Sequence, residues 1–376
     1  MRLGLFRGRK KEMKNFTFYG LPTNEGLASA HGLQVINVTT TLGELVDAFP
    51  IHESERDEEL LQRKLTNSRS DNIKNYLLER EDAIFPQLAG FVSSQAISET
   101  VHGMFRKITL SADAQRMLVD GQGRREGGRK AMLECPELAE MTVDLKLIVL
   151  NTATLLESAN IIRQVFSDYH KNVVKPNSSI NLFFDSAKAS SAFYVRSLKY
   201  LEDCDTAFAK QISRDGANDR FYTLAQYKTF VEKLTGMTSK EMDKTMLDES
   251  VSEMWLRVIA SFVSHLENEA FEGLFEKSAK ADVTAQKKSN LVCCAIGLEA
   301  LGRVGNLIID NALAEQVKPD FTILGGLSEL NMDREAGIWQ NSVILDGKIL
   351  KGSAAKLSMK MAVHLRLQMS DKFLGI

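Results

Sequence analysis

Arg116-Met117-Leu118-Val119-Asp120-Gly121-Gln122-Gly123-Arg124-Arg125-Glu126-Gly127-Gly128-Arg129-Lys130 sets a short apolar run, a carboxylate, a Gly-Gln-Gly turn and a basic helix-forming segment in direct succession. Strand, glycine turn, basic helix start is the order in which an α/β chain builds an anion pocket. Glycine lets the backbone approach a ligand, the first helical N–H groups lack internal partners, and the helix dipole favours negative charge there. An ordinary strand-to-helix turn would use the same Asp-Gly pair. Two details favour the pocket. Gly127 and Gly128 fall where the helix should be running, and each costs about 1 kcal/mol against alanine there, which is easier to understand if a ligand or another backbone comes close. The second is charge: Glu126 can pair with Lys130 at i,i+4, which would leave Arg124, Arg125 and Arg129 for an anion.

Outward from this stretch the front of the chain reads as mixed α/β. Phe16 to Gly20 and Gln34 to Thr41 are rich in β-branched and aromatic residues and read as strands. Leu42 to Phe49 reads as a short helix, with Thr41 and Glu44 at capping-box spacing. Charged helical segments over 53–64 and from Asp71 to Leu78 precede strands expected at 88–93, 104–110 and 116–119. Val143, Leu145, Leu147 and Val149 alternate on one face of a further strand. Beyond 154 helical spacing takes over, with helices expected over 186–202, 223–235, 239–276, 285–316 and 353–369. Phe321 to Leu324 reads as a strand, and Ser342 to Leu345 as one arm of a hairpin with Lys348 to Leu350 across Asp346-Gly347. The fold class expected is mixed α+β: an arm over 1–15, an α/β domain over 16–210, and a mostly helical domain over 211–376, with the polar loop Arg214 to Asp219 near the boundary.

Composition narrows the chemistry. Hydrophobic content of 44% and charged content of 26% match a soluble globular protein, and a net charge of −2 means that any polyanion site is a local patch. Cys135, Cys204, Cys293 and Cys294 show no CxxC spacing, which argues against a disulfide framework or zinc knuckle and fits a reduced cytoplasmic compartment. No apolar stretch is long enough to span a membrane. The six histidines form no HExxH pair, and neither a P-loop nor a nucleophile elbow is present; no metal site is assigned. The N-terminal arm holds Arg7, Arg9, Lys10 and Lys11 among six basic residues against one acid, Glu12. It reads either as a DNA-backbone contact or as a solvated tail. The segment from Ile161 to Asn172 reads as an amphipathic helix. If its polar face borders the glycine turn, Asp168 and Asp120 could hold Mg²⁺ beside a nucleotide such as ATP.

At Asp120-Gly121-Gln122-Gly123-Arg124 the chain resembles the DGQHR-domain family, whose α/β domain is ParB/sulfiredoxin-like. Gln164 to Lys171 resembles that family's Q-x-F-x-D-x-N segment, with His170 where Asn is common, and Phe221-Tyr222-Thr223-Leu224 is similar to its later helix-opening segment. Trp339-Gln340-Asn341 with Asp346 to Gly352 resembles the tail of the DndB proteins attached to DNA phosphorothioate modification. The resemblance spans about 30–370, nearly the whole chain. It implies a cytoplasmic component of a bacterial DNA sulfur-modification system, acting as a regulator that binds promoter DNA of the modification operon. Other sulfur-modification proteins, or a second copy of the chain, are the further partners implied. The other function it implies is a ParB-like nucleotide-dependent ATPase or nuclease, with Asp120 and Arg124 catalytic and ATP with Mg²⁺ as cofactor. Carried over by position, Asp120, Gly121, Gln122 and Arg124 are motif residues. With Gly123, Arg125, Arg129 and Asp168, the last three motif residues make up the expected phosphate-binding set. Gly123 stands where the motif has histidine. If that imidazole serves proton transfer or phosphate contact, this chain lacks it, whereas anion binding by Arg124 is retained.

Overall fold

The computed structural model describes residues 14–51, 61, 65–171, 176–217, 219–276 and 279–374. Arg7, Arg9, Lys10 and Lys11 of the expected DNA-contacting arm lie outside the described residues, as does the helix expected over 53–64 apart from Leu61. The chain divides into two compact units, Met1–Val174 and Lys175–Ile376. The polar loop Arg214 to Asp219 lies within the second.

The first unit is built on a mixed seven-stranded sheet. Its elements in order are β1 (Phe16–Thr23), α1 (Gly26–His31), β2 (Gln34–Thr41), α2 (Leu42–Ala48), α3 (Asn67–Glu79), β3 (Leu88–Val92), β4 (Ala96–His102), β5 (Phe105–Leu110), β6 (Arg116–Asp120), α4 (Gln122–Met132), β7 (Thr142–Val149) and α5 (Ala159–Lys171). The strand order is β4-β5-β1-β2-β7-β3-β6. Neighbours run antiparallel except β3 and β7, which are parallel. The alternation expected of β7 is observed: Val143, Leu145 and Leu147 enter one core with Leu42 and Leu45 of α2, Phe49 just after it, Leu77 of α3 and Ala131 of α4. On the other face Ala89, Phe91, Met117, Val119 and Ile148 pack with Ile162 and Val165 of α5. The α2 cap differs from a full capping box. The Thr41 side chain accepts from Glu44 N, but the Glu44 carboxylate takes the Thr40 hydroxyl at 2.7 Å. β4 was not expected, because its alternation of Ile97, Glu99 and Val101 faces solvent and has no buried apolar period.

The second unit is helical: α6 (Ser178–Phe184), α7 (Ala189–Asp203), α8 (Ala207–Lys210), α9 (Leu224–Thr235), α10 (Ser239–Thr245), α11 (Glu249–His265), α12 (Lys280–Ser289), α13 (Ala295–Ala314) and α14 (Ala354–His364). Leu198, Tyr227, Phe230, Phe262 and Leu301, from α7, α9, α11 and α13, are fully buried in its core. Three expectations are corrected. The helix expected over 239–276 is broken because the Asp248 carboxylate accepts from Ser250 and Val251 N and starts α11 afresh. The one expected over 285–316 is broken between α12 and α13, where Leu291 N donates to Met332 O at 2.9 Å. Phe321 to Leu324 is not a strand but part of a 3₁₀ helix, Phe321–Glu329, whose first turn is capped by Asp320. The expected hairpin is present: Ile344–Leu345 pairs with Lys348–Ile349, and Asp346 and Gly347 take φ of 51° and 71°, as a type I′ turn requires.

Candidate functional site

β6 delivers Asp120 to the turn through a bulge. Gly90 of β3 pairs with Leu118 and Ala89 with Asp120, leaving Val119 as the extra residue. Such bulges redirect a side chain at a strand end. Ala89 is in turn opposite Lys146 of β7, and Lys146 opposite Asn37 of β2. Asp120 and Lys146 therefore flank Ala89 in one cross-sheet row. Gly121 follows at φ 107°, a conformation that disfavours side chains. A Cβ there would also lie 2.5 Å from Leu88 Cδ2. α4 starts at once, and Arg125 N closes its first turn on Gly121 O at 2.8 Å.

The expectation that the arginines stand free is corrected. Arg124 donates to Pro86 O at 2.7 Å and ion-pairs with Asp120 through its other terminal nitrogen. Arg125 reaches back to α2, donating from Nε to Phe49 O at 3.0 Å and from Nη2 to Val46 O at 2.7 Å. Its Nη1 meets Glu126 Oε2 at 3.0 Å. Arg129 donates to Glu126 Oε1 at 2.7 Å. Glu126 therefore does not take Lys130, which bonds Ser70 Oγ at 2.9 Å and Asp71 Oδ1 at 2.7 Å on α3. Burial lowers the pKa of Arg125. Burial alone would raise the Glu126 carboxyl, but the Arg129 hydrogen bond and the charges of Arg129, Arg125 and Lys130 outweigh it and hold it below the ordinary range.

The paired glycines are explained by a backbone and a side chain of neighbouring helices. A Cβ on Gly127 would stand 2.6 Å from Ile73 Cγ2 and 2.9 Å from Ser70 O, both on α3; one on Gly128 would stand 2.8 Å from Leu42 Cδ1 on α2. Gly123 is different, since its neighbour is the Arg69 side chain, 3.3 Å away at Nε. The guanidinium of Arg69 thus stands beside the start of α4. Gln122 is only 8% exposed, and its amide Nε2 has no hydrogen-bond partner among the described residues.

Asp168 lies in the last turns of α5. It is exposed and accepts from Gln164 Nε2 at 2.8 Å one turn back. Among the described residues no group of three or more His, Cys, Asp and Glu is placed to hold a metal ion. On α5, Tyr169 lies within reach of the Asp120 charge. Burial raises its hydroxyl pKa; the Lys146 cation opposes that shift, and the Glu25 and Asp120 charges reinforce it. Lys146 ion-pairs with Glu25 at 2.6 Å. Burial would lower its pKa, but the Glu25 hydrogen bond and the Tyr169 and Glu25 charges raise it. Glu25, Lys146, Tyr169 and Arg69 were missed in the sequence. Only Lys146 carried a signal, as the lone cation within Leu145-Lys146-Leu147-Ile148-Val149.

Fold and site together define a mixed α/β protein whose sheet presents a strand–glycine turn–helix element with its cations held in place. A family model for the DNA-sulfur modification-associated DndB proteins matches residues 26–370, and the chain belongs to that family. No curated protein and no solved structure matches it. No helix among the described residues is long and apolar enough to cross a membrane.

Proposed function

We propose that the chain is a DNA-binding regulatory component of a DNA sulfur-modification system, acting at the promoter of its own operon. The observation that supports this reading is the family match over residues 26–370. In this reading Arg7, Arg9, Lys10 and Lys11 neutralise backbone phosphates, a contact that is insensitive to sequence and weakens with salt. The start of α4, with Gly121, Gln122, Gly123 and Arg124, receives a phosphate group on N–H donors and the helix dipole. Arg69 borders it as a further cation, whereas Arg129 stands in the last turn of α4, held by Glu126. Asp120 orients Arg124, and Arg125 fixes α4 against α2, so both act as positioning residues. The ParB/sulfiredoxin-like character of the first unit belongs to the same proposal.

A reporter fused to the modification operon's promoter tests the regulatory role. Deleting the gene is expected to change reporter output, and supplying the chain in trans is expected to restore it. A reporter indifferent to both manipulations would refute the regulatory reading.

A further inference from the structure

The sheet of the first unit is covered unevenly. Behind β7, β3 and β6 one face packs on α5, but the same face of β1, β5 and β4 carries Tyr19, Leu21, Ile97 and Phe105 between 40% and 58% exposed. Val101 sits beside them at the β4 bulge, and Met104 on the β4–β5 turn is 73% exposed. Register fixes how these side chains lie. Tyr19 is opposite Lys107 and Lys107 opposite Glu99, making one row across three strands. The next row is Thr17, Thr109 and Ile97. Phe105 stacks on Tyr19 with ring centroids 6.2 Å apart and planes 12° apart. An apolar surface of this kind on a soluble domain marks an interaction site, and β4 is also a sheet edge.

We propose that this face binds a second copy of the same chain, sheet against sheet. The argument is self-complementarity. A two-fold axis lying in the interface, parallel to the strands and midway between β4 and β5, exchanges the two strand positions. It sets Lys107 of one copy over Glu99 of the other, twice, and closes the apolar side chains around those pairs. A polyanion would meet a face whose central row carries one cation and one anion, so charge favours a copy of the chain over nucleic acid. Three strands at their usual spacing and rise give a patch of about 300 Å². That is well under the roughly 800 Å² per partner of a standard stable interface. The dimer is therefore weak, and association is expected only at high protein concentration. The proposal is independent of the DNA reading.

Sedimentation velocity of the full chain over roughly 1–200 µM tests it. The wild type is expected to pass from monomer to dimer across that range. Glu99→Lys and Lys107→Glu are each expected to weaken association at least about tenfold, because each sets like charges face to face. An equimolar mixture of the two variants is expected to recover a dimer, since every facing pair is then of opposite sign. Circular dichroism and thermal melts check that the variants fold. A wild type that stays monomeric, a dimer indifferent to both substitutions, or a mixture no better than either variant alone would overturn the proposal.

Discussion

Replacing Gly127 by alanine sets two effects of opposite sign against each other. Helix propensity favours alanine over glycine by about 1 kcal/mol in a helix interior. Packing opposes it, because the new Cβ would lie 2.6 Å from Ile73 Cγ2, 2.7 Å from Ile73 Cβ and 2.9 Å from Ser70 O. The first two atoms belong to a β-branched side chain with little χ1 freedom, and the third is helix backbone. Relief requires α3 to move away from α4, at the upper end of the roughly 1–3 kcal/mol seen for overpacking. The expected net result is a loss of about 1–2 kcal/mol, read from urea denaturation of the full chain. Gly123→Ala is the internal control. Its nearest neighbours, Arg69 Nε at 3.3 Å and Cδ at 3.4 Å, belong to a flexible exposed side chain, so propensity should win and stability should hold or rise by up to about 1 kcal/mol. If Gly127→Ala instead stabilised the protein by the propensity increment while abolishing phosphate or DNA binding, the glycine pair would serve a ligand and the packing explanation would be wrong.

Three other outcomes follow from the same contacts. Arg125→Ala removes the hydrogen bonds to Val46 O and Phe49 O and one partner of Glu126, and should destabilise the first unit by about 2–4 kcal/mol in denaturant melts. The Glu126 carboxyl has a folded-state pKa below its ordinary value of 4.5. Its stabilisation is therefore complete above that value and is lost as pH falls through the lower, folded one; Glu126→Gln should flatten this acid limb in melts taken from neutral to acid pH. Neutralising Arg7, Arg9, Lys10 and Lys11 together should weaken binding to all duplexes alike and reduce the slope of log K against log salt by up to about 3–4. An unchanged slope would remove the arm from the interface.

The parts of the fold that were legible are those where one local pattern decides the outcome. β7 showed through Val143, Leu145 and Leu147, which all face one core, and the β6 turn showed through Asp120-Gly121, where φ 107° needs glycine. The tail hairpin was equally readable from Asp346-Gly347. Legibility failed where the deciding partner is distant in sequence. Gly127 and Gly128 signalled a close approach by a ligand or another backbone, but not that α3 and Leu42 of α2 make it. Arg125 looked available, but its partners Val46 and Phe49 lie far back in the chain. Lys130 was expected to find Glu126 one turn away and instead reaches Asp71 on another helix. Solvent-facing β4 lacked a buried period altogether, and the helix break at Asp248 rests on a capping carboxylate whose apolar surroundings continue the helical spacing.

Specific DNA recognition by this family member is tested by equilibrium binding. A mobility-shift titration at about 150 mM salt should compare the modification operon's promoter with a shuffled duplex of equal length and composition. Binding to the promoter is expected to be at least about 10³-fold tighter, the lower end of the range for specific DNA-binding proteins. Equal affinity for the two duplexes, or no binding to either, would contradict it.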